Sequence, residues 1–417
     1  MAYAAALGVF GAVAGLLSLG TIKLAGEWGT DFGPGWLGGH WWWVGVTAAA
    51  GVVVGVLRRW TRLPERVPGL FDDLRDDTFD AKLVPGTVAV SAVSLVGGAS
   101  VGPEKVLASM GAGAGSSMAR RQGLGEGDSQ VNTFAGIAGI FGGLFSSPVI
   151  VVMMILEIAR PGGNRFSKIL VTDIVAGSVS FGIYFAIAGA VFLGAYKVPP
   201  YTFENWQLLA GLPLGLFGAL VTALVAGLTT LASRLFSSLK IPAVAKSMLG
   251  GTFFGIVAVV LPLTMFSGGD QLTVVLKDSR ALGLGLCISI LIAKMLTYAV
   301  SQASGFVGGP IFPALFIGGT AGVVVHQAIP AIPLGLAFSC LLPTVLGSLA
   351  AAPISMVLLA AFLTRVGALE TSPILISVVT AFLGVEAVKH AASRGKRRPW
   401  SARSTPTHNK INLGRHL

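Results

Sequence analysis

The sequence predicts an all-α polytopic membrane protein made of two related halves, with helices broken at membrane depth. Three observations carry the prediction. First, 53% of the 417 residues are hydrophobic and only 11% are charged, against about 25% charged in soluble domains. Second, the apolar residues gather into runs on the scale of the roughly 20 residues that cross a bilayer. Third, two pairs of glycine-proline breaks recur half a chain apart. Gly97-Gly98-Ala99-Ser100-Val101-Gly102-Pro103-Glu104 is followed by Gly143-Leu144-Phe145-Ser146-Ser147-Pro148, and Gly308-Gly309-Pro310-Ile311-Phe312-Pro313 by Gly347 to Pro353. Pro103 and Pro310 lie 207 positions apart, Pro148 and Pro353 lie 205 apart. Broken spans at matching places in two halves point to a transport site in repeat-built membrane proteins.

Taken in order, the apolar run 3–25 lacks the basic start of a signal peptide and is too long for its core. It reads as the first spanning helix. The run 41–57 opens on Trp41-Trp42-Trp43, an interfacial anchor. Arg58 to Lys82 is the one long polar interruption, with six acidic and six basic residues. Within it Gly69 to Leu74 reads as a short interfacial helix. Runs 84–99 and 101–118 flank the first break, and 131–158 contains the second. Runs 168–195, 207–233, 244–267, 281–300, 304–327, 333–362 and 371–388 complete the membrane part. Residues 1–390 therefore read as one membrane domain, with halves of about 1–200 and 201–390. Residues 391–417 read as a flexible basic tail.

From Lys389 to Leu417 there are eight Lys or Arg and no acid. Directly after an apolar span, such a tail reads as cytoplasmic and in contact with anionic lipid, not as a nucleic-acid binder. It is too short to hold a folded regulatory domain. Cys287 and Cys340 are isolated in apolar surroundings, so they read as buried small hydrophobes without metal or redox work. The composition implies no cofactor. Gly111-Ala-Gly-Ala-Gly115 reads as close helix packing, since small residues let spanning helices approach.

Glu104 is the leading candidate for function, because an ionisable group within an apolar span is costly and functional by default. It follows Gly102-Pro103, and proline favours a helix start. Glu104 then sits at a helix N-terminus, whose free N–H groups and positive dipole end bind anions. A carboxylate tethered there is an internal anion that can fill the site or leave it. The segment Gly308 to Pro313 carries no charge, so its backbone N–H groups would hold an anion weakly, which permits fast passage. Glu157, near the end of its run and close to Arg160, is a candidate for a proton pathway, with a structural pairing as the alternative. Asp173, Lys294 and Glu386 lie in or beside apolar runs without an assigned partner. Asp72-Asp73-Leu74-Arg75-Asp76-Asp77 is similar to the aspartate-rich motif of membrane prenyltransferases, but the second such motif is missing. No nucleophile elbow, zinc-protease helix or phosphate loop occurs, so the chain does not read as an enzyme.

At this point the residues resemble a known family. Gly102-Pro103-Glu104 within its glycine-rich segment resembles the gating-glutamate element of the CLC chloride channels and transporters. Gly308-Gly309-Pro310-Ile311-Phe312-Pro313 resembles their second anion-site motif. Phe145-Ser-Ser-Pro148 through Glu157 and Ala352-Pro353-Ile-Ser-Met resemble the helices that follow. The likeness spans most of residues 84–390 and is greatest to a divergent bacterial branch described only as ion-transport proteins. It implies inverted-topology halves with re-entrant helices, a homodimer with one pore per subunit, and a multi-pass location in the inner (plasma) membrane. It implies Glu104 as the gate, with Gly102, Pro103, Gly309, Ile311 and Phe312 at the anion site. The implied activity is transport of chloride or another small anion, either channel-like or proton-coupled. The alternative is a secondary transporter of another small solute on a similar inverted-repeat frame. The departures are specific. Lys105-Val106 replaces the family's glycine-proline pair, and Pro64-Glu65-Arg66-Val67-Pro68 stands where a serine-bearing anion motif is usual. No tyrosine follows Tyr298, Ile158 occupies the place of the inner glutamate, and Pro310 has no N–H to donate.

Overall fold

A computed structural model of the chain describes residues 1–31, 41–65, 67–76, 79–190 and 192–396. Among the described residues the fold is entirely helical apart from one isolated β-bridge. The first half holds α1 (Ala2–Asp31), α2 (Trp42–Trp60), α3 (Leu70–Asp76), α4 (Val84–Val96), α5 (Glu104–Arg121), α6 (Glu126–Leu144), α7 (Pro148–Ala159) and α8 (Asn164–Ala188). The second holds α9 (Trp206–Ser238), α10 (Ala243–Val260), α11 (Gly269–Lys277), α12 (Ser279–Ala303), α13 (Ile311–Ala328), α14 (Leu334–Leu341), α15 (Thr344–Ala350), α16 (Pro353–Thr364) and α17 (Thr371–Lys396). Seven of these, α2, α8, α9, α10, α12, α13 and α17, are long and apolar enough to cross a bilayer.

Proline sets where several helices begin. Pro103 and Pro310 precede α5 and α13, while Pro148 and Pro353 open α7 and α16. Proline suits a first turn because its missing N–H would have had no partner there. The apolar run 131–158 is therefore two helices. They separate at Ser146, which has φ +53°, and Ser147, whose hydroxyl accepts from the Ile150 N–H at 3.4 Å. The run 333–362 is three helices, interrupted at Leu342-Pro343 and Ala351-Ala352.

The same local geometry occurs twice. α5 and α13 each have 18 residues, and α7 and α16 each have 12. The turn before α7 has Ser146 at φ +53° and the turn before α16 has Ala351 at φ +55°. Arg160 and Arg365, at φ +48° and +53°, close the two helices. Left-handed backbone at a residue with a side chain costs roughly 1–2 kcal/mol, so its recurrence at matching positions marks one turn design used twice.

Small residues bring the first-half helices together. A Cβ added at Gly111 would strike the Gly136 carbonyl, and one at Gly115 would strike the Asn132 carbonyl. The glycine run of α5 thus packs directly on the α6 backbone. Cys287 and Cys340 are fully buried. Of the three tryptophans, Trp41 is exposed, whereas Trp43 turns inward, stacking on Trp42 at 4.6 Å and meeting Phe266 edge-on at 5.8 Å. The short helix expected after Gly69 is α3. The tail 397–417 and Arg66 lie outside the described residues.

Candidate functional site: a buried carboxylate between two helix starts

The two broken segments meet in space. The Gly102 N–H donates to the Gly309 carbonyl at 2.8 Å, and the Gly309 N–H returns to the Gly102 carbonyl at 2.7 Å. A Cβ at either position would fall on the Glu104 carboxylate, so glycine at both leaves the room that this side chain occupies. Two further contacts fasten the pair. The Val307 N–H donates to the Ser94 hydroxyl at 3.1 Å, and the Ser100 N–H donates to the Ser301 hydroxyl at 3.2 Å. The N-terminus of α5 is thereby held against that of α13.

Glu104, the first residue of α5, fills the space between them. It is fully buried, and its Oε1 accepts from the Phe312 N–H at 2.7 Å. The N–H groups of Ile311 and of Glu104 itself bond the same carboxylate. Among the described residues its Oε2 has no hydrogen-bond partner. The carboxylate occupies an anion seat built from helix N-terminal amides. Gly102 and Gly309 contribute differently from Ile311 and Phe312. Their N–H groups are committed to each other, so their part is close backbone approach, and the donors into the seat come from Ile311 and Phe312. Pro103 sets the start of α5. A line of aromatic rings flanks the seat, with Phe312 5.5 Å from Phe192 and Phe192 6.1 Å from Phe145.

Beyond Gly308 and Pro310 the protein opens into a cavity of about 960 Å³. Arg58, Arg75, Lys105, Arg234 and Lys246 line it, against the acids Glu65 and Asp72. A cavity lined mainly by one sign of charge concentrates ions of the other sign. Part of its wall is the polar stretch after α2. Arg58 joins that stretch to the second break by donating to the carbonyls of Gly305 at 2.8 Å, Pro64 at 2.6 Å and Glu65 at 2.9 Å. Lys105, next to the buried glutamate, pairs with Asp73 of α3 at 2.5 Å. Burial pushes the Asp73 carboxyl above its ordinary range, and the adjacent Lys105 ammonium pulls it back. The Asp72 carboxylate accepts from the Gly69 N–H at 3.1 Å. These two aspartates serve the local fold. The Asp76 side chain and Asp77 lie outside the described residues.

The remaining ionisable residues fall elsewhere. Glu157 reaches the start of α16, accepting from the Ile354 N–H at 2.9 Å, the Ser355 N–H at 2.9 Å and the Ser355 hydroxyl at 2.6 Å. The Arg160 guanidinium donates to the Glu157 carbonyl at 3.4 Å rather than to its carboxylate. Ile158 is buried. Lys294 on α12 is fully buried and donates to the carbonyls of Thr264, Met265 and Phe266 at 3.1, 3.3 and 2.8 Å. Its ammonium also lies 5.0 Å from the Phe316 ring centre, a favourable cation–π distance. Asp173 is buried on α8, and Glu386 pairs with Lys389. Sequence reasoning overlooked Tyr298, which lines the cavity one helical turn from Gln302 and lies within electrostatic reach of Glu104. The signal available was its place in the turn of α12 that leads into the second break.

Comparison with known proteins agrees with this geometry. The family model described as "Voltage gated chloride channel" matches residues 50–385. The YfeO proteins of Salmonella choleraesuis and Salmonella newport, named for ion transport, are each 26% identical over 308 residues, covering 72% of this chain and 73% of theirs. Among solved structures, a slow cyanobacterial Cl⁻/H⁺ antiporter matches with a TM-score of 0.79 at 16% identity, over 95% of this chain and 97% of its own. A CLC-type fluoride/proton antiporter matches with a TM-score of 0.74 at 17% identity, over 92% of this chain and 94% of its own. At these identities the two structures speak for the fold.

Proposed function

This chain belongs to the CLC family of voltage gated chloride channels, and we propose that Glu104 gates its anion pore, with chloride as the default ion. The chain is a multi-pass membrane protein that carries anions through a CLC-type pore. One observation carries the assignment of the gate. The Glu104 carboxylate is fully buried and takes the Phe312 N–H, the donor that a passing anion would use. An ionised carboxylate in that seat excludes a second anion by occupancy and by like charge. A protonated one gives up the charge-assisted bond and vacates the seat. The seat otherwise offers backbone N–H groups and aromatic rings, which hold an anion weakly enough to release it.

Both broken segments lie within one chain, which supports a pore complete in each subunit of a homodimer. Channel-like conduction is the form proposed. Ile158 cannot carry a proton, and the Glu157 carboxylate is engaged by the first residues of α16. A transporter of another solute on a similar frame is not favoured, because the second broken segment presents no charged side chain to recognise one.

The test is flux. Purified protein in liposomes under a chloride gradient is expected to release chloride, with no accompanying pH change when protons do not move. Obligatory proton movement would replace the channel form by exchange. Absence of both chloride and fluoride flux would end the proposal.

A further inference from the structure

We infer that Asp73 and Lys105 form a charge latch beside the gate. Paired, their charges cancel next to Glu104; parted, the charge that remains sets how acid the medium must be for the pore to open. Both act through Glu104 and are positioning residues. The inference rests on Glu104 as the gate and adds the residues that tune it.

Lys105 is the second residue of α5, directly after Glu104. Its ammonium lies 2.5 Å from a carboxylate oxygen of Asp73 on α3. The Asp73 end is the fixed one. Leu70, Phe71 and Leu74 of α3 are buried, and Asp72 secures its start by accepting from the Gly69 N–H at 3.1 Å. The lysine end is the movable one, because its charge sits on a flexible four-carbon stem. Two cavities meet at Lys105. It lines the cavity of about 960 Å³ that reaches Gly308 and Pro310. It also lines a small one of about 20 Å³, together with Asp73, Asp80, Thr87 and Ser109. Asp73 lines the small cavity and not the large one. The pairing therefore draws the ammonium away from the anion path.

The other charged groups of the packed elements are engaged or lie further off. Asp80 accepts from the Lys82 N–H at 2.9 Å, and the Lys82 side chain is exposed. Arg75 lines the large cavity. α4 carries no charged residue, and residues 2–22 of α1 carry none. On α6, Glu126 and Asp128 stand before Asn132, which meets Gly115 at the far part of α5. Glu157 of α7 is engaged at the start of α16, and Lys294 of α12 is held by three carbonyls. His326 stands in the last turn of α13. Tyr298 of α12 lies within electrostatic reach of Glu104, but a phenol is neutral at the acidities concerned. A close ion pair acts on its surroundings as a dipole, whereas a lone ammonium acts as a full charge. A full positive charge beside Glu104 favours the ionised carboxylate, which keeps the seat filled until the medium is more acid. A lone carboxylate at Asp73 does the reverse.

The experiment measures chloride flux from liposomes across pH for full-length wild type, Asp73→Asn, Lys105→Met and the double variant. The quantity read is the pH of half-maximal flux. Asp73→Asn should move it to lower pH by roughly one unit, since the ammonium loses its partner. Lys105→Met should move it to higher pH, by less, because the buried Asp73 then takes up a proton itself. The double variant carries no charge at either place and should return close to the wild-type value. That return separates a charge effect from a structural one, which would leave the double variant displaced at least as far as the single ones. An unmoved Asp73→Asn, two single variants moving the same way, or a double variant displaced as Asp73→Asn is would overturn the inference. If Asp73→Asn does not yield folded protein, Lys105→Met decides: a move to higher pH supports the latch, and no move or a move to lower pH overturns it. A wild-type flux that does not follow pH would instead remove Glu104 as the gate, the reading on which the inference rests.

Discussion

Replacing Lys105 with methionine removes one partner of the ion pair beside the gate. The side chains of Lys105 and Asp73 are 6% and 13% exposed, with 2.5 Å between the ammonium and the carboxylate. Breaking a buried pair from one side costs about 3–5 kcal/mol, because the surviving charge stays desolvated and unpaired. The residual exposure of Asp73 places this pair at the lower end, about 3 kcal/mol. The sign with pH follows from Asp73. Burial already raises its carboxyl, and the ammonium that opposes this is gone in the variant. The folded variant therefore binds a proton on Asp73 more tightly than the unfolded chain does. Its stability falls as pH rises through that range and returns as pH drops. The assay is unfolding of the full chain in mixed micelles near neutral and mildly acid pH. Lys105→Met should lose about 3 kcal/mol near neutrality and less in acid. Adding Asp73→Asn should recover more than half of the loss, since a neutral amide is cheaper to bury. A single variant within about 1 kcal/mol of wild type, or a double variant no better than the single, would refute the reasoning.

Two further outcomes follow from the contacts described. Lys294→Met should destabilise by about 2–3 kcal/mol, because three buried carbonyls lose their common donor; an unchanged unfolding midpoint would show that this clamp contributes nothing. Glu157→Gln should cost about 1–3 kcal/mol, since an amide cannot accept all three donors at the start of α16. If that variant instead keeps wild-type stability but abolishes a proton flux seen in wild type, Glu157 belongs to a proton pathway.

The sequence was most readable where chemistry is local. Proline and glycine fixed the starts of α5, α7, α13 and α16, because backbone torsion and the missing N–H act at the residue itself. The position of Glu104 at a helix start followed from Gly102-Pro103 alone. Less readable was α11, a short helix whose apolar residues lie between Asp270 and Lys277, so its buried Leu272, Val275 and Leu276 form no run of spanning length. The partners of charged residues were not readable either. Lys105 meets Asp73 across 32 positions, and Lys294 meets carbonyls of a turn about 30 positions away. A carbonyl cage leaves no trace in residue identity, since any residue supplies the same oxygen. The roles of Gly102 and Gly309 as mutual partners required knowing that the two breaks touch. Tyr298 was hidden for a related reason: its importance comes from the cavity beside it, which α2, α3, α9 and α12 enclose together.

The central claim is that Glu104 closes the pore by occupying its anion seat. Chloride flux from liposomes measured between about pH 7.5 and pH 4.5, for wild type and Glu104→Gln side by side, tests it most directly. Wild-type flux should rise as the medium acidifies, while the Glu104→Gln variant should conduct at a level that no longer follows pH. A Glu104→Gln variant whose flux tracks pH as wild type does would contradict the account.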